Sequence, residues 1–186
     1  MRTLQADLKA VGEEKLAILD LGSTSPANIG FFTDLGLRVS TEDVLRASKD
    51  PDYLVRQEDS SEQFSAEKFL AENLNYSEGQ FDAVLCWDIT DYLPEPLVKP
   101  LVDRIYSVLK PHGTLLAFFH DKDPGPGFPT FRYHITQPDT LEMEPRPTVS
   151  LQRVFKNRHV ETLFASFTSR KFFLGRDNLR EVIVVR

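Results

Sequence analysis

Apolar residues fall into two spacings along this chain. Short, mostly apolar runs occur at residues 16–19, 37–39, 81–87 and 114–119, and residues 170–174 and 181–185 are read as two further strands. Runs of that length suit strands covered on both faces, as parallel strands are. Between them lie segments with helical spacing: Ile29, Phe31, Phe32 and Leu35, then Phe69 and Leu70, then Leu97, Leu101, Ile105, Val108 and Leu109, then Val160, Leu163 and Phe164. Ser65 and Asn157 are placed as N-caps, Gly36 as one helix stop and Pro111 with Gly113 as another. Leu4, Leu8 and Val11 predict a short amphipathic helix ahead of the first strand. Strand and helix alternate, so the pattern predicts an α/β fold with a mostly parallel sheet. The GRDN stretch at 175–178 joins the last two runs as an antiparallel hairpin.

Two stretches break this rhythm. Residues 46–63 are polar and read as loop with one short strand near 53–55; a third sheet strand is expected in this region without a fixed position. Residues 121–156 open with the turn-rich DKDPGPGFP, then FRYHIT, QPDT and LEMEP read as a small hairpin, and TVSLQRVF as a third extended piece. The loop after such a strand leaves the carboxyl edge of the sheet, where ligands bind in open α/β folds. Residues 121–156 are therefore expected to be an inserted hairpin that covers a pocket, or else a plain structural extension.

A chain of 186 residues suits one domain spanning 1–186. A net charge of −6 argues against a nucleic-acid partner, since such binding rests on neutralising phosphates. The charge is uneven: from Ser150 onward basic residues outnumber acidic ones by eight to three. That region reads as a solvated basic face or as a docking surface for an acidic protein partner. Cys86, the only cysteine, lies within an apolar run and is expected to be buried and unreactive in a reducing compartment. The first residues lack a hydrophobic signal core, and no apolar run approaches the roughly 20 residues of a membrane span. A cytoplasmic protein with no membrane contact is expected.

Ligand chemistry points to the turn after the first strand. The run at 16–19 closes on Asp20; Gly22 follows, Ser25 suits an N-cap and Pro26 the first helical position. Backbone amides at that helix start would face whatever lies above the sheet. Asp43, just past the second strand, can accept two hydrogen bonds from a ribose diol.

This stretch, together with the FDAV strand at 81–84 and the LKPHG turn at 109–113, resembles the class I S-adenosylmethionine-dependent methyltransferases. Their first motif is a strand ending in an acid, a Gly-x-Gly-x-Gly turn, and a ribose-binding acid after the second strand. Asp20, Gly22 and Asp43 take those places; the second and third glycines fall on Thr24 and Pro26. The resemblance implies a three-layer Rossmann-like fold, a mostly parallel seven-stranded sheet with a C-terminal antiparallel hairpin, and S-adenosylmethionine as cofactor. It implies that Asp20, Gly22, Ser23 and Ser25 line the methionine end, that Asp43 with Glu42 holds the ribose, and that Trp87 flanks the cofactor. The activity implied is methyl transfer to a small-molecule acceptor. The glycine departures favour an alternative, a catalytically inactive methyltransferase-like domain that serves as a protein-binding scaffold.

Methyl transfer asks mainly for alignment, with a base where the acceptor is an alcohol or amine. Asp88, Asp91, Tyr92 and His120 stand at the carboxyl ends of adjacent predicted strands, and Asp88, Tyr92 and His120 are the candidates for catalysis. The same positions suit plain duties, with acids capping the turn and the histidine bonding a loop carbonyl. No metal site is expected, because His112, His120, His134 and His159 have no ligand spacing. The HDKD stretch at 120–123 reads as solvated loop. A phosphate-binding Gly-Lys-Ser/Thr loop and a Gly-x-Ser-x-Gly elbow are both missing. A nicotinamide-cofactor reading would need the same missing glycines.

Overall fold

The apolar runs become a central sheet in the computed structural model, which describes residues 16–57, 60–174 and 178–186. The helix expected at Leu4, Leu8 and Val11 and most of the GRDN turn lie outside the described residues. The chain begins with β1 (Ala17–Asp20), α1 (Pro26–Asp34), β2 (Arg38–Thr41) and the single turn α2 (Val44–Ala47). Then come β3 (Leu54–Arg56), β4 (Glu62–Phe64), α3 (Ala66–Asn73) and β5 (Phe81–Trp87). The second half holds α4 (Glu95–Val108), β6 (Leu109–His120), β7 (Thr130–Gln137), β8 (Thr140–Arg146), α5 (Asn157–Leu163), β9 (Ser169–Leu174) and β10 (Leu179–Val185).

The sheet runs in the order β2-β1-β5-β6-β10-β9. The first four strands are parallel, and β10 pairs antiparallel with both β6 and β9. This is the expected mixed α/β architecture, with the last strand inserted beside the one that follows α4. The described sheet has six strands where seven were expected. The segment holding the sought third strand folds instead as a separate hairpin of β3 and β4. It packs Phe64 into the core and leaves Leu54 and Val55 47% and 43% exposed.

Two apolar layers cover the sheet. On one face α3, α4 and α5 bring Phe69, Leu97, Leu101, Ile105, Val160 and Phe164 onto Leu19, Val84, Leu115, Phe119 and Val182. On the other face Phe32 of α1 shares its layer with Tyr133 and Ile135 of β7, over Ile18, Ala83, Leu85, Leu116 and Ile183. A β-hairpin, not a helix, completes that layer among the described residues. Alternation along β5 explains the division, since Val84 and Cys86 face one layer while Ala83, Leu85 and Trp87 face the other.

Three local expectations are corrected. The helix α4 ends at Val108 and β6 begins at once, so residues 110–113 are part of an irregular strand. His112 at φ +66° and a register shift opposite Phe81 and Ala83 absorb the turn. A Cβ on Gly113 would stand 2.8 Å from the Lys110 carbonyl, which explains the glycine. Residues 148–155 form no strand; Gln152 and Arg153 donate their backbone N–H to the Asp91 carbonyl at 2.9 and 3.2 Å. The N-cap of α5 is Lys156, while Asn157 accepts from the Arg180 guanidinium.

Four of the eight basic residues from Ser150 onward, Arg153, Arg170, Arg180 and Arg186, make internal contacts. Arg153 pairs with Glu95 at 2.7 Å, Arg170 donates to the Phe164 and Ala165 carbonyls, and Arg186 stacks over Tyr106. Among the described residues no helix is long and apolar enough to cross a membrane.

Leu101, fully buried on the inward face of α4, should be sensitive to truncation. Leu101→Ala is expected to lose about 2–5 kcal/mol of stability, against less than about 0.5 kcal/mol for the exposed Lys99→Ala. Urea unfolding of the two variants checks this, and equal midpoints would contradict the packing described.

Candidate functional site

Sequence places Asp20 at the carboxyl end of a buried strand, and the structure buries its side chain with it. A carboxylate in that position needs donors. It has three: the Gly22 N–H at 3.0 Å, the Asn28 side-chain amide at 3.0 Å and the Trp87 indole N–H at 2.6 Å. Burial raises the Asp20 pKa above the usual carboxylate range, and the three hydrogen bonds oppose the shift. All three donors belong to the protein, so Asp20 is an internal junction and does not face open space.

Trp87 ends β5 with φ +49°, in the left-handed region that a bulky residue occupies only when its surroundings hold it there. Its ring lies over Gly22. A Cβ on Gly22 would sit 2.5 Å from Trp87 Cδ1 and 2.8 Å from Nε1, so the first motif glycine is needed for the indole's approach. Tyr133 of β7 then stacks on the indole, with ring centroids 5.0 Å apart and planes 7° from parallel. Trp87 and Tyr133 are 2% and 3% exposed.

The same hairpin is pinned to the start of α1. Ser25 is the N-cap as expected, accepting the Asn28 N–H at 3.1 Å. It is fully buried, and its hydroxyl also bonds His134 Nδ1 at 2.8 Å. Asn28 donates to the Tyr133 carbonyl at 3.0 Å and accepts the Ile135 N–H at 2.7 Å. His134 Nε2 lies 3.0 Å from Glu144 of β8, whose pKa is lowered chiefly by that contact. As arranged, β7 lies over Ser25 and Asn28 at the start of α1. The space left between Gly22, Ser23, Asp88 and Tyr133 is a cavity of about 30 Å³. That holds a water molecule, whereas small-ligand sites run to roughly 300 Å³ and more. Thr24 and Pro26 do not fill it: both are exposed.

The two acids after β2 are placed at the rim. Asp43 accepts the Ser23 hydroxyl at 2.9 Å and caps α2 through the Arg46 N–H at 3.1 Å. Glu42 accepts the Tyr76 hydroxyl at 2.7 Å. Ser23 and Asp43 thus meet, while Glu42 is turned to a different partner.

The three catalytic candidates gather at the ends of β5 and β6, with Asp91 as their organiser. Asp91 Oδ2 accepts both the backbone N–H of His120 at 2.7 Å and its ring Nδ1 at 2.9 Å. Tyr92 places its hydroxyl 3.5 Å from His120 Nε2. Burial raises the Asp91 pKa, and His120 and Arg180 oppose the rise. Burial also pushes Asp88 up to about 6, against the opposing Tyr133 hydroxyl and His120. Asp88 Oδ2, Asp91 Oδ1 and the Tyr133 hydroxyl are buried without a geometrically formed hydrogen bond. Neither acid serves as a simple turn cap: the Asp88 side chain makes no capping bond. His120 also lines a second cavity of about 430 Å³ with Phe128, Phe131, Met143, Asn178 and Leu179. Among the described residues no group of three or more His, Cys, Asp or Glu side chains is gathered as a metal would require.

Sequence reasoning missed Asn28, Tyr133 and the part played by Asp91. Asn28 left one signal, standing four residues before the buried Phe32 on the inward face of α1. Tyr133 left none, because nothing local says which strand its hairpin will cover.

Comparison with known proteins adds the family. The model described as "Methyltransferase domain" matches residues 19–117. Among curated proteins no sequence matches the chain. The fold is similar to that of 1,6-didemethyltoxoflavin-N1-methyltransferase from Burkholderia thailandensis, whose structure holds S-adenosylhomocysteine (TM-score 0.55, 15% identity, covering 99% of this chain and 75% of that one). It is also similar to a SAM-dependent methyltransferase from Methanosarcina mazei (0.53, 16% identity, 96% of each chain). A third likeness is to a SAM-dependent methyltransferase from Archaeoglobus fulgidus (0.54, 9% identity, 100% and 92%). At these identities the likeness is one of fold.

Two predictions follow from the buried carboxylates. Asn28→Ala would leave Asp20, the Tyr133 carbonyl and the Ile135 N–H each short of a partner, and should cost about 2–4 kcal/mol in thermal unfolding. Asp88 has a folded pKa above its unfolded value, so the unfolded chain ionises first and stability falls as pH rises from about 4 to about 6. Asp88→Asn should remove that loss and be more stable than wild type at pH 7 by about 2 kcal/mol, with no advantage at pH 4. Urea midpoints at the two pH values read the difference; a variant less stable at pH 7 would refute it.

Proposed function

From a chain that belongs to the methyltransferase-domain family, we propose an S-adenosylmethionine-dependent methyltransferase whose cofactor cradle is covered by its own hairpin. The observation that carries this reading is the family match over residues 19–117, a span that includes Asp20, Gly22, Asp43 and Asp88. Asp43 stays at the rim beside Ser23, where a ribose diol would need an acceptor pair. S-adenosylmethionine supplies an activated methyl group; the protein's share is to hold it and align an acceptor. As arranged, the residues do not fit the cofactor, because Trp87 and Tyr133 leave about 30 Å³ above Gly22. Binding therefore requires the β7–β8 hairpin to withdraw and the indole to turn, and the observed affinity falls by the fraction of time spent open.

A second reading is favoured by the same stack. Trp87, Tyr133 and Ile135 are as buried as core residues. If the hairpin never leaves, the domain is a non-catalytic scaffold of methyltransferase shape, acting through a protein partner.

Calorimetry with S-adenosylmethionine and S-adenosylhomocysteine separates the two. The enzyme reading expects weak binding by wild type, roughly tenfold tighter binding by Trp87→Leu, and loss in Asp43→Ala. No heat with either ligand at millimolar concentration, in wild type and in a folded Trp87→Leu variant, would leave the scaffold.

A further inference from the structure

We infer that β9 is a docking edge for an acidic, extended peptide, which adds to the sheet as a further strand. The inference concerns the end of the sheet opposite to β1 and β2, and it stands whether or not S-adenosylmethionine binds.

The backbone offers the edge. Among the described strands β9 pairs with β10 alone, through six consecutive residue pairs from Ser169–Val185 to Leu174–Arg180 without a shift of register. A regular strand with one partner presents its outer row of N–H and C=O groups to a second. Bulges and prolines are the usual means of blunting such an edge, and β9 has neither.

The side chains choose the partner. Opposed residues of an antiparallel pair share a face, and neighbours along a strand alternate. Phe172 opposes Val182 and so stands with Arg170 on the face covered by α3, α4 and α5. Lys171 opposes Ile183 and stands with Phe173 on the face of the β7–β8 hairpin. Each face of the edge therefore carries one cation and, two residues on, one ring. Phe172 and Phe173 are 39% and 45% exposed, among the few large apolar side chains left outside the core. The cations are without acids. The Arg170 guanidinium donates to the Phe164 and Ala165 carbonyls and to no carboxylate among the described residues. Lys171 is exposed and forms no ion pair, as is also true of Lys156 and Arg158 at the start of α5.

A second copy would bring the same charges to the same edge, and lysines on edge strands deter that pairing. A strand of opposite sign is drawn to it. Running antiparallel to β9, the matching segment reads apolar, apolar, acid, acid. Its β-branched residues lie opposite Phe173 and Phe172, and its carboxylates opposite Lys171 and Arg170. Main-chain hydrogen bonds supply the affinity and these side-chain pairs the selection.

The test uses the full chain and the fluorescently labelled, capped peptide Ile-Val-Val-Glu-Glu-Thr, with Ile-Val-Val-Lys-Lys-Thr as its charge-reversed control. In anisotropy titrations at low salt the acidic peptide should bind roughly tenfold tighter than the control, and the gap should close in about 1 M salt. Lys171→Glu alters an exposed side chain without partners and should bring the two affinities to parity. N-methylation of alternate residues removes the donors along one edge of the acidic peptide at a time; one set should abolish binding and the other spare it. Equal affinities for the two peptides in wild type, a preference that survives Lys171→Glu, or binding indifferent to both methylated sets would overturn the inference. So would a wild-type dimer that the acidic peptide fails to dissociate and Lys171→Glu disrupts, since that result gives the edge to a second copy.

Discussion

One buried carboxylate ties the two halves of this molecule together. Asp20 ends the first sheet strand, and its donors come from the turn after it, from α1 and from the end of β5. Asn28 extends that junction to β7 through both its amide groups. An ionised acid taken out of water is tolerated only when its lone pairs are met. Here the protein supplies three donors, and in doing so fixes the indole of Trp87 over Gly22. The hairpin's position is a consequence of satisfying this group.

That arrangement changes what the glycine turn is for. In the fold family the turn leaves backbone open to a ligand; here Gly22 leaves room for a tryptophan. The bulkier Thr24 and Pro26 are exposed and obstruct nothing. A closed cradle and an unusual turn are therefore separate facts, and the first arises from residues far along the chain. Tyr133 is 111 positions beyond Gly22 by number, yet its ring covers the same spot.

The carboxyl edge of β5 and β6 follows a different logic. Asp88, Asp91 and His120 are all buried there, and burial raises the pKa of both acids. Asp91 is engaged by His120 through Oδ2, with Arg180 adding to its stabilisation, and each acid keeps one buried oxygen without a hydrogen bond. Buried, incompletely satisfied polar groups beside a cavity are where a fold has kept something other than stability. Arg180 also ties the strand end to the His120 carbonyl, so the last strand helps to hold the imidazole.

The sequence by itself determined the sheet, its helices and the family. Those depend on local spacing: continuous runs for buried strands, three- and four-residue intervals for helices, and capping residues such as Ser25 and Ser65 at their starts. Asp20, Asp43, Asp88, Tyr92 and His120 could be named in advance because strand ends in an open α/β sheet meet at one edge. Only the tertiary structure decided that β3 leaves the sheet, that Asp91 is the partner of His120, and that Trp87 and Tyr133 close the cradle. Each of those turns on contacts between segments distant in sequence, where burial and hydrogen-bond satisfaction select among docking positions that hydrophobic patterning leaves equal.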